Sequence, residues 1–147
     1  DKIPSGARVK PSSEDVNAVN IPLVGTVAAG QPIFAFDDYK DVYSLPKALL
    51  RSADPAETIL LTVDGESMKD IGMLTGDSII VTRSFDFVDG DIVVARVNGD
   101  TATVKRIFYE SGGVIRLQPE NAEMEPILCP ADTVEVIGKV IGLIRSY

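Results

Sequence analysis

From residue 21 onward this chain is written in short β-branched runs, each stopped by a glycine turn, and that punctuation limits it to a mainly-β fold with short helical turns. Residues 58–63, 78–82, 91–97, 102–109 and 114–119 read as strands, with 21–27 before them and 135–144 closing the series. Between them stand Thr75-Gly76-Asp77, Asp89-Gly90-Asp91, Asn98-Gly99-Asp100 and Ser111-Gly112-Gly113. Asn-Gly between two apolar runs favours a tight hairpin, whose central residues both need positive φ. Residues 45–51 read as a short helix with Pro46 in its first turn. Residues 1–20, rich in Pro, Ser and charge and lacking apolar periodicity, read as a flexible linker or tail. Residues 21–147 then form the domain, and the absence of Met at position 1 fits a piece of a longer chain.

A chain of 147 residues suits one compact domain with its own core. The longest apolar runs, such as Ile59-Leu60-Leu61 and Ile79-Ile80-Val81, are far too short to cross a bilayer, and nothing resembles a signal peptide. A soluble, cytoplasmic protein without a membrane partner is the expectation. The net charge of −8, from 22 acidic and 14 basic residues, argues against this segment gripping a phosphate backbone by itself. Any DNA reader would lie upstream of Asp1. Cys129 is the only cysteine, so no intramolecular disulfide forms, and its apolar setting in Ile127-Leu128-Cys129-Pro130 reads as a buried small residue.

The sequence contains no histidine, which removes Ser-His-Asp triads, Cys-His pairs and His-ligated metals together. A nucleophilic serine would then need another base, and a neutral lysine is the well-attested substitute. Ser67, in Gly65-Glu66-Ser67-Met68-Lys69-Asp70, follows the expected strand 58–63 and opens a short helical stretch, 68–71. There its own amide and that of a neighbour could receive an oxyanion. The same residue also reads as an N-cap, with Asp70 three positions later. Lys105, in Thr103-Val104-Lys105-Arg106, shares a strand face with Thr103 and Ile107. To act as a base it would have to be desolvated, and Arg106 could not replace it because guanidinium keeps its proton. The residues alone leave nucleophile and cap both open.

A set of motifs resembles the C-terminal domain of LexA-type SOS repressors, which shares its β fold and dyad with signal peptidases. They are Val27-Ala28-Ala29-Gly30-Gln31-Pro32, Gly65-Glu66-Ser67-Met68-Lys69-Asp70-Ile71-Gly72, Gly76-Asp77 and Gly90-Asp91-Ile92-Val93-Val94-Ala95. Thr103-Val104-Lys105-Arg106, Leu117-Gln118-Pro119-Glu120-Asn121 and Gly138-Lys139-Val140-Ile141-Gly142 continue the series, in order, across residues 21–147. One departure stands beside the serine: Glu66 occupies a position where familiar enterobacterial repressors carry methionine.

The resemblance implies a serine endopeptidase acting on itself through a Ser-Lys dyad. In it Ser67 matches the nucleophile and Lys105 the base, the backbone amides of Glu66 and Ser67 form the oxyanion hole, and the scissile bond is Ala29–Gly30. Val27 and Ala28 belong to the cleavage loop, whose small residues let the backbone press against the nucleophile. No metal or cofactor is implied. The implied partners are a second copy, paired through the last strand at 139–144, and a RecA filament on single-stranded DNA as activator. Operator DNA would be reached only through an N-terminal domain absent from this sequence. A UmuD-like polymerase accessory subunit and a non-catalytic dimerisation module are the alternative readings.

Overall fold

The computed structural model describes residues 17–28, 41–99 and 101–147. Residues 1–16 of the expected linker or tail and the Ala29–Gly30 pair lie outside the described residues, while residues 18–20 of that linker are the start of a paired strand. Within them are nine strands: β1 (Ala18–Ala28), β2 (Asp41–Pro46), β3 (Thr58–Asp64), β4 (Ser78–Thr82), β5 (Ile92–Val97), β6 (Thr101–Glu110), β7 (Val114–Gln118), β8 (Ile127–Pro130) and β9 (Val134–Ile144). They hydrogen-bond in the order β2-β1-β3-β4-β9-β5-β6-β7-β8, and every described pairing is antiparallel except β1 with β3. The mainly-β expectation holds. Among the described residues no helix is long and apolar enough to cross a membrane.

The central strands are apolar at consecutive positions because both of their faces are covered. In β3, Ile59, Leu61 and Val63 enter one core cluster while Leu60 enters a second; in β4, Ile79 and Val81 divide from Ile80 in the same way. That is the two-residue period of a strand read from both sides. The first cluster also takes Val24 and Val27 from β1, Met68 and Met73 from the β3–β4 loop, and Val104 from β6. A third cluster of Val93, Ala95, Ile107, Ile115 and Leu117 fills the β5–β7 end.

One long strand joins the two ends of the sheet. Residues 134–139 of β9 pair with β5, and residues 139–144 pair with β4. Register shifts occur between Ile80 and Val81 and between Val94 and Ala95, the bulges that bend a strand from one partner to the next. Gly138 lies at the close approach: a Cβ there would stand 2.6 Å from Val81 Cγ1 and 3.0 Å from the Thr82 carbonyl oxygen.

Three further local readings differ from the structure. The short helix expected at 45–51 is reduced to one 3₁₀ turn, Lys47–Leu50, because Pro46 ends β2 and the turn stops at Arg51 with φ of 53°. Only Leu50 of that turn is buried, and one apolar anchor cannot hold a helical face. Strands β2 and β8 carried no periodic signal, because each buries a single side chain, Leu45 and Cys129 respectively. The hairpin at Asn98-Gly99 formed as expected, with φ of 56° and 72°.

Candidate active site

The loop between β3 and β4 carries Ser67 and is closed at its neck. Gly76 N–H donates to the Val63 carbonyl, and Val63 N–H to the Asp77 carbonyl, both at 2.8 Å. Gly65 turns the chain with φ of 135°, and its N–H and C=O both bond the Thr75 hydroxyl, at 2.9 and 3.0 Å. Asp77 is buried beneath the loop. Its carboxylate accepts from Leu74 N–H at 2.8 Å and from two nitrogens of Arg145, at 2.7 and 2.6 Å. The Arg145 guanidinium holds that carboxyl below the usual range.

A second brace comes from the segment after β7. Asn121 is buried and donates its side-chain N–H to the Glu66 carbonyl at 2.8 Å. Asp70 N–H donates to the Glu120 carbonyl at 2.8 Å, and Ala122 N–H to the Asp70 carboxylate at 2.9 Å. Met68 anchors the loop from below as a member of the first core cluster.

These ties fix where Ser67 sits. The short turn that follows is Lys69–Ile71, its leading residue is Met68, and no side chain caps it. Ser67 is therefore not an N-cap; its half-buried hydroxyl instead donates to the Val104 carbonyl of β6 at 3.4 Å. The backbone N–H groups of Glu66 and Ser67 donate to no protein acceptor among the described residues. Two free amides beside a hydroxyl are what an oxyanion site requires.

Lys105 follows Val104 on the same strand. It is only 2% exposed, and its ammonium nitrogen donates to the Thr103 hydroxyl, two residues back on the same face. No carboxylate pairs with it among the described residues. Burial with a neutral partner disfavours the charged form and brings the lysine down from 10.5 to about 8. A base poised there is partly neutral at ordinary pH. β6 thus presents the Val104 carbonyl to Ser67 and a deprotonatable amine one residue on.

β1 brings the third component. It runs parallel to β3, with Val27 opposite Val63 and Ala28 opposite Asp64, three residues before Ser67. Val27 is buried in the first core cluster and lines a groove with Val63, Ser67, Met68, Met73 and Val104. The chain around Val27 and Ala28 therefore lies against the loop that carries the serine.

The sequence pattern of the family described as Peptidase S24-like matches residues 22–141, most of the chain. The chain belongs to that family. The peptidase S24-like region here is also similar to LexA repressors: 47% identical over 136 residues to that of Pelotomaculum thermopropionicum, covering 92% of this chain. It is 42% identical over 134 residues to that of Listeria monocytogenes serotype 4a, covering 91%. To the LexA repressor of Lactobacillus gasseri it is 46% identical over 127 residues, covering 86%. It spans 64%, 63% and 59% of the lengths of those three relatives. The resemblance to a LexA-type C-terminal domain is thereby borne out.

Three residues of this peptidase S24-like site were not singled out by sequence reasoning. Thr103 carried a signal, being the nearest polar residue on the face of Lys105. Asn121 and Asp77 stood in motifs that carry the family resemblance, but nothing local gave their roles, because each acts on a segment far along the chain: Asn121 on Glu66, Asp77 on Arg145.

Proposed function

We propose that this chain is the self-cleaving domain of a LexA-type SOS repressor, hydrolysing its own Ala29–Gly30 bond with Ser67 and Lys105. The observation that carries this reading is the buried Lys105, paired among the described residues only with a neutral hydroxyl, one residue along from the carbonyl that Ser67 touches. A lysine kept only for the fold would gain from a carboxylate or from solvent. The parallel β1–β3 register supports the choice of bond, since it runs up to Ala28 alongside the strand that leads to Ser67.

The chemistry follows from these groups. Neutral Lys105 takes the Ser67 proton as Oγ attacks the Ala29 carbonyl carbon, and the negative charge moves to the carbonyl oxygen. The amides of Ser67 and Glu66 receive that oxyanion. As the intermediate collapses, the C–N bond breaks and the Lys105 ammonium returns its proton to the Gly30 nitrogen. Water, deprotonated in turn by Lys105, attacks the Ala29–Ser67 ester and frees the Ala29 carboxylate and the serine.

In the cell this cut would separate the domain from a DNA reader lying upstream, relieving repression in the cytoplasm. A RecA filament on single-stranded DNA is the proposed activator, favouring the conformer with its cleavage loop docked. A second copy pairing through 139–144 of β9 is the proposed dimer; the exposed Leu143 and half-buried Val140 of that stretch give it an apolar face. The test is intact mass over time at pH 9 for the parent chain, Ser67→Ala and Lys105→Ala. Fragments ending at Ala29 and beginning at Gly30, from the parent only, are the expected result. A parent that stays whole, even with an activated RecA filament, refutes the reading and favours a non-catalytic dimerisation module.

A further inference from the structure

The Glu66–Ser67 peptide is held from a distance. Its carbonyl accepts the Asn121 side-chain N–H at 2.8 Å, besides a longer turn bond of 3.3 Å from Lys69 N–H. Asn121 is itself fixed: it is buried, and its own side-chain oxygen accepts the Glu123 N–H at 2.9 Å. No described peptide bond is cis, so the C=O of Glu66 and the N–H of Ser67 point in opposite directions across one rigid plane. Pulling the carbonyl toward Asn121 aims the Ser67 N–H the other way. That N–H has no protein acceptor among the described residues.

We infer that Asn121 is a positioning residue for the oxyanion hole, acting through the Glu66 carbonyl to orient the Ser67 amide. The inference rests on the self-cleavage reading above. Glu66 suits the arrangement whatever its side chain does, because only its backbone is used, and the side chain itself is exposed. Asn121 touches neither the nucleophile nor the base in any described contact. Its loss should therefore lower the rate of the cut without moving the protonation of Lys105. A peptide plane tilted by a fraction of an ångström at the reacting atoms costs about ten- to a hundredfold in rate.

Two variants test this. Asn121→Ser keeps an oxygen acceptor for the Glu123 N–H but is too short to reach Glu66. Asn121→Asp keeps shape and acceptor, puts an oxygen in place of the donor and adds a negative charge. Both should lower the plateau rate of self-cleavage above pH 9 by about ten- to a hundredfold, and the uncharged serine variant should leave the midpoint of the pH profile where the parent has it. In a Lys105→Ala background, which would keep the chain whole, the Glu66 carbonyl carbon-13 resonance should move as its hydrogen bond is lost. A plateau within twofold of the parent, a moved midpoint in Asn121→Ser, or an unmoved Glu66 resonance overturns the inference. So does unfolding of both variants, which would make Asn121 a residue of the fold alone. A parent chain that does not cut overturns the self-cleavage reading and this inference with it; a parent that cuts beside variants that cut as fast overturns the inference alone.

Discussion

Replacing Lys105 with methionine in a Ser67→Ala background removes the charge from a site that resists it while keeping the apolar stem. In the folded chain the lysine loses its proton near pH 8 rather than 10.5 because burial penalises the ammonium. At about 1.4 kcal/mol per tenfold, that fall represents roughly 3 kcal/mol of cost to folding. Its sign follows from proton counting. Between about pH 8 and 10.5 the unfolded chain holds the proton and the folded chain does not, so stability rises with pH across that window. Below pH 8 both states hold it and the full cost remains. Methionine escapes the cost but forfeits the bond to Thr103, worth about 1 kcal/mol. The variant should thus be about 1–3 kcal/mol more stable than its Ser67→Ala parent at pH 7, and the gain should vanish above pH 10.5. Urea unfolding at the two pH values measures both. A variant no more stable at pH 7, or one with the same gain at both, would refute the claim that the fold keeps a charge-averse lysine here.

Two further predictions concern the scaffold. Gly138→Ala should destabilise the chain by about 1–3 kcal/mol in urea, because its Cβ would press on Val81 and on the Thr82 backbone where β9 crosses to β4. Asp77→Asn should lower the urea midpoint at pH 7 by removing the charged partner of Arg145. The parent's carboxyl is held below 3.8, so the deficit should persist down to that pH and narrow only beneath it, as the parent too becomes protonated; a deficit that narrows already at pH 5–6 would contradict the ion-pair account.

The parts of the fold that announced themselves were those with two covered faces. Strands β3 and β4 are unbroken apolar or β-branched runs, β5 is such a run broken by Arg96 and β6 by Lys105-Arg106, and the bounds of all four moved by one residue or less at each end. Strands β2 and β8 each bury one side chain and left no pattern to read. The helix expected at 45–51 was legible only in part: Pro46 and good helix formers suggested it, but only Leu50 had a core to enter and a single 3₁₀ turn over 47–50 remains. At the candidate site, Ser67 and Lys105 were legible as residue types in recognisable company. What made the serine more than a cap was not local. The hydroxyl turns to Val104 on a strand 37 positions away, and Asn121 reaches Glu66 across 55. The burial of Lys105 was equally hidden, since an alternating strand shows which residues share a face and not which face is dry.

The most direct measurement is the first-order rate at which the fragment beginning at Gly30 appears, from pH 6 to 10, in the parent chain and in Ser67→Ala. A buried lysine acting as the base predicts a rate that rises about tenfold per pH unit and levels off near pH 8, with no product from Ser67→Ala. A rate indifferent to pH, a midpoint near 10.5, or cleavage that survives the loss of Ser67 would contradict it.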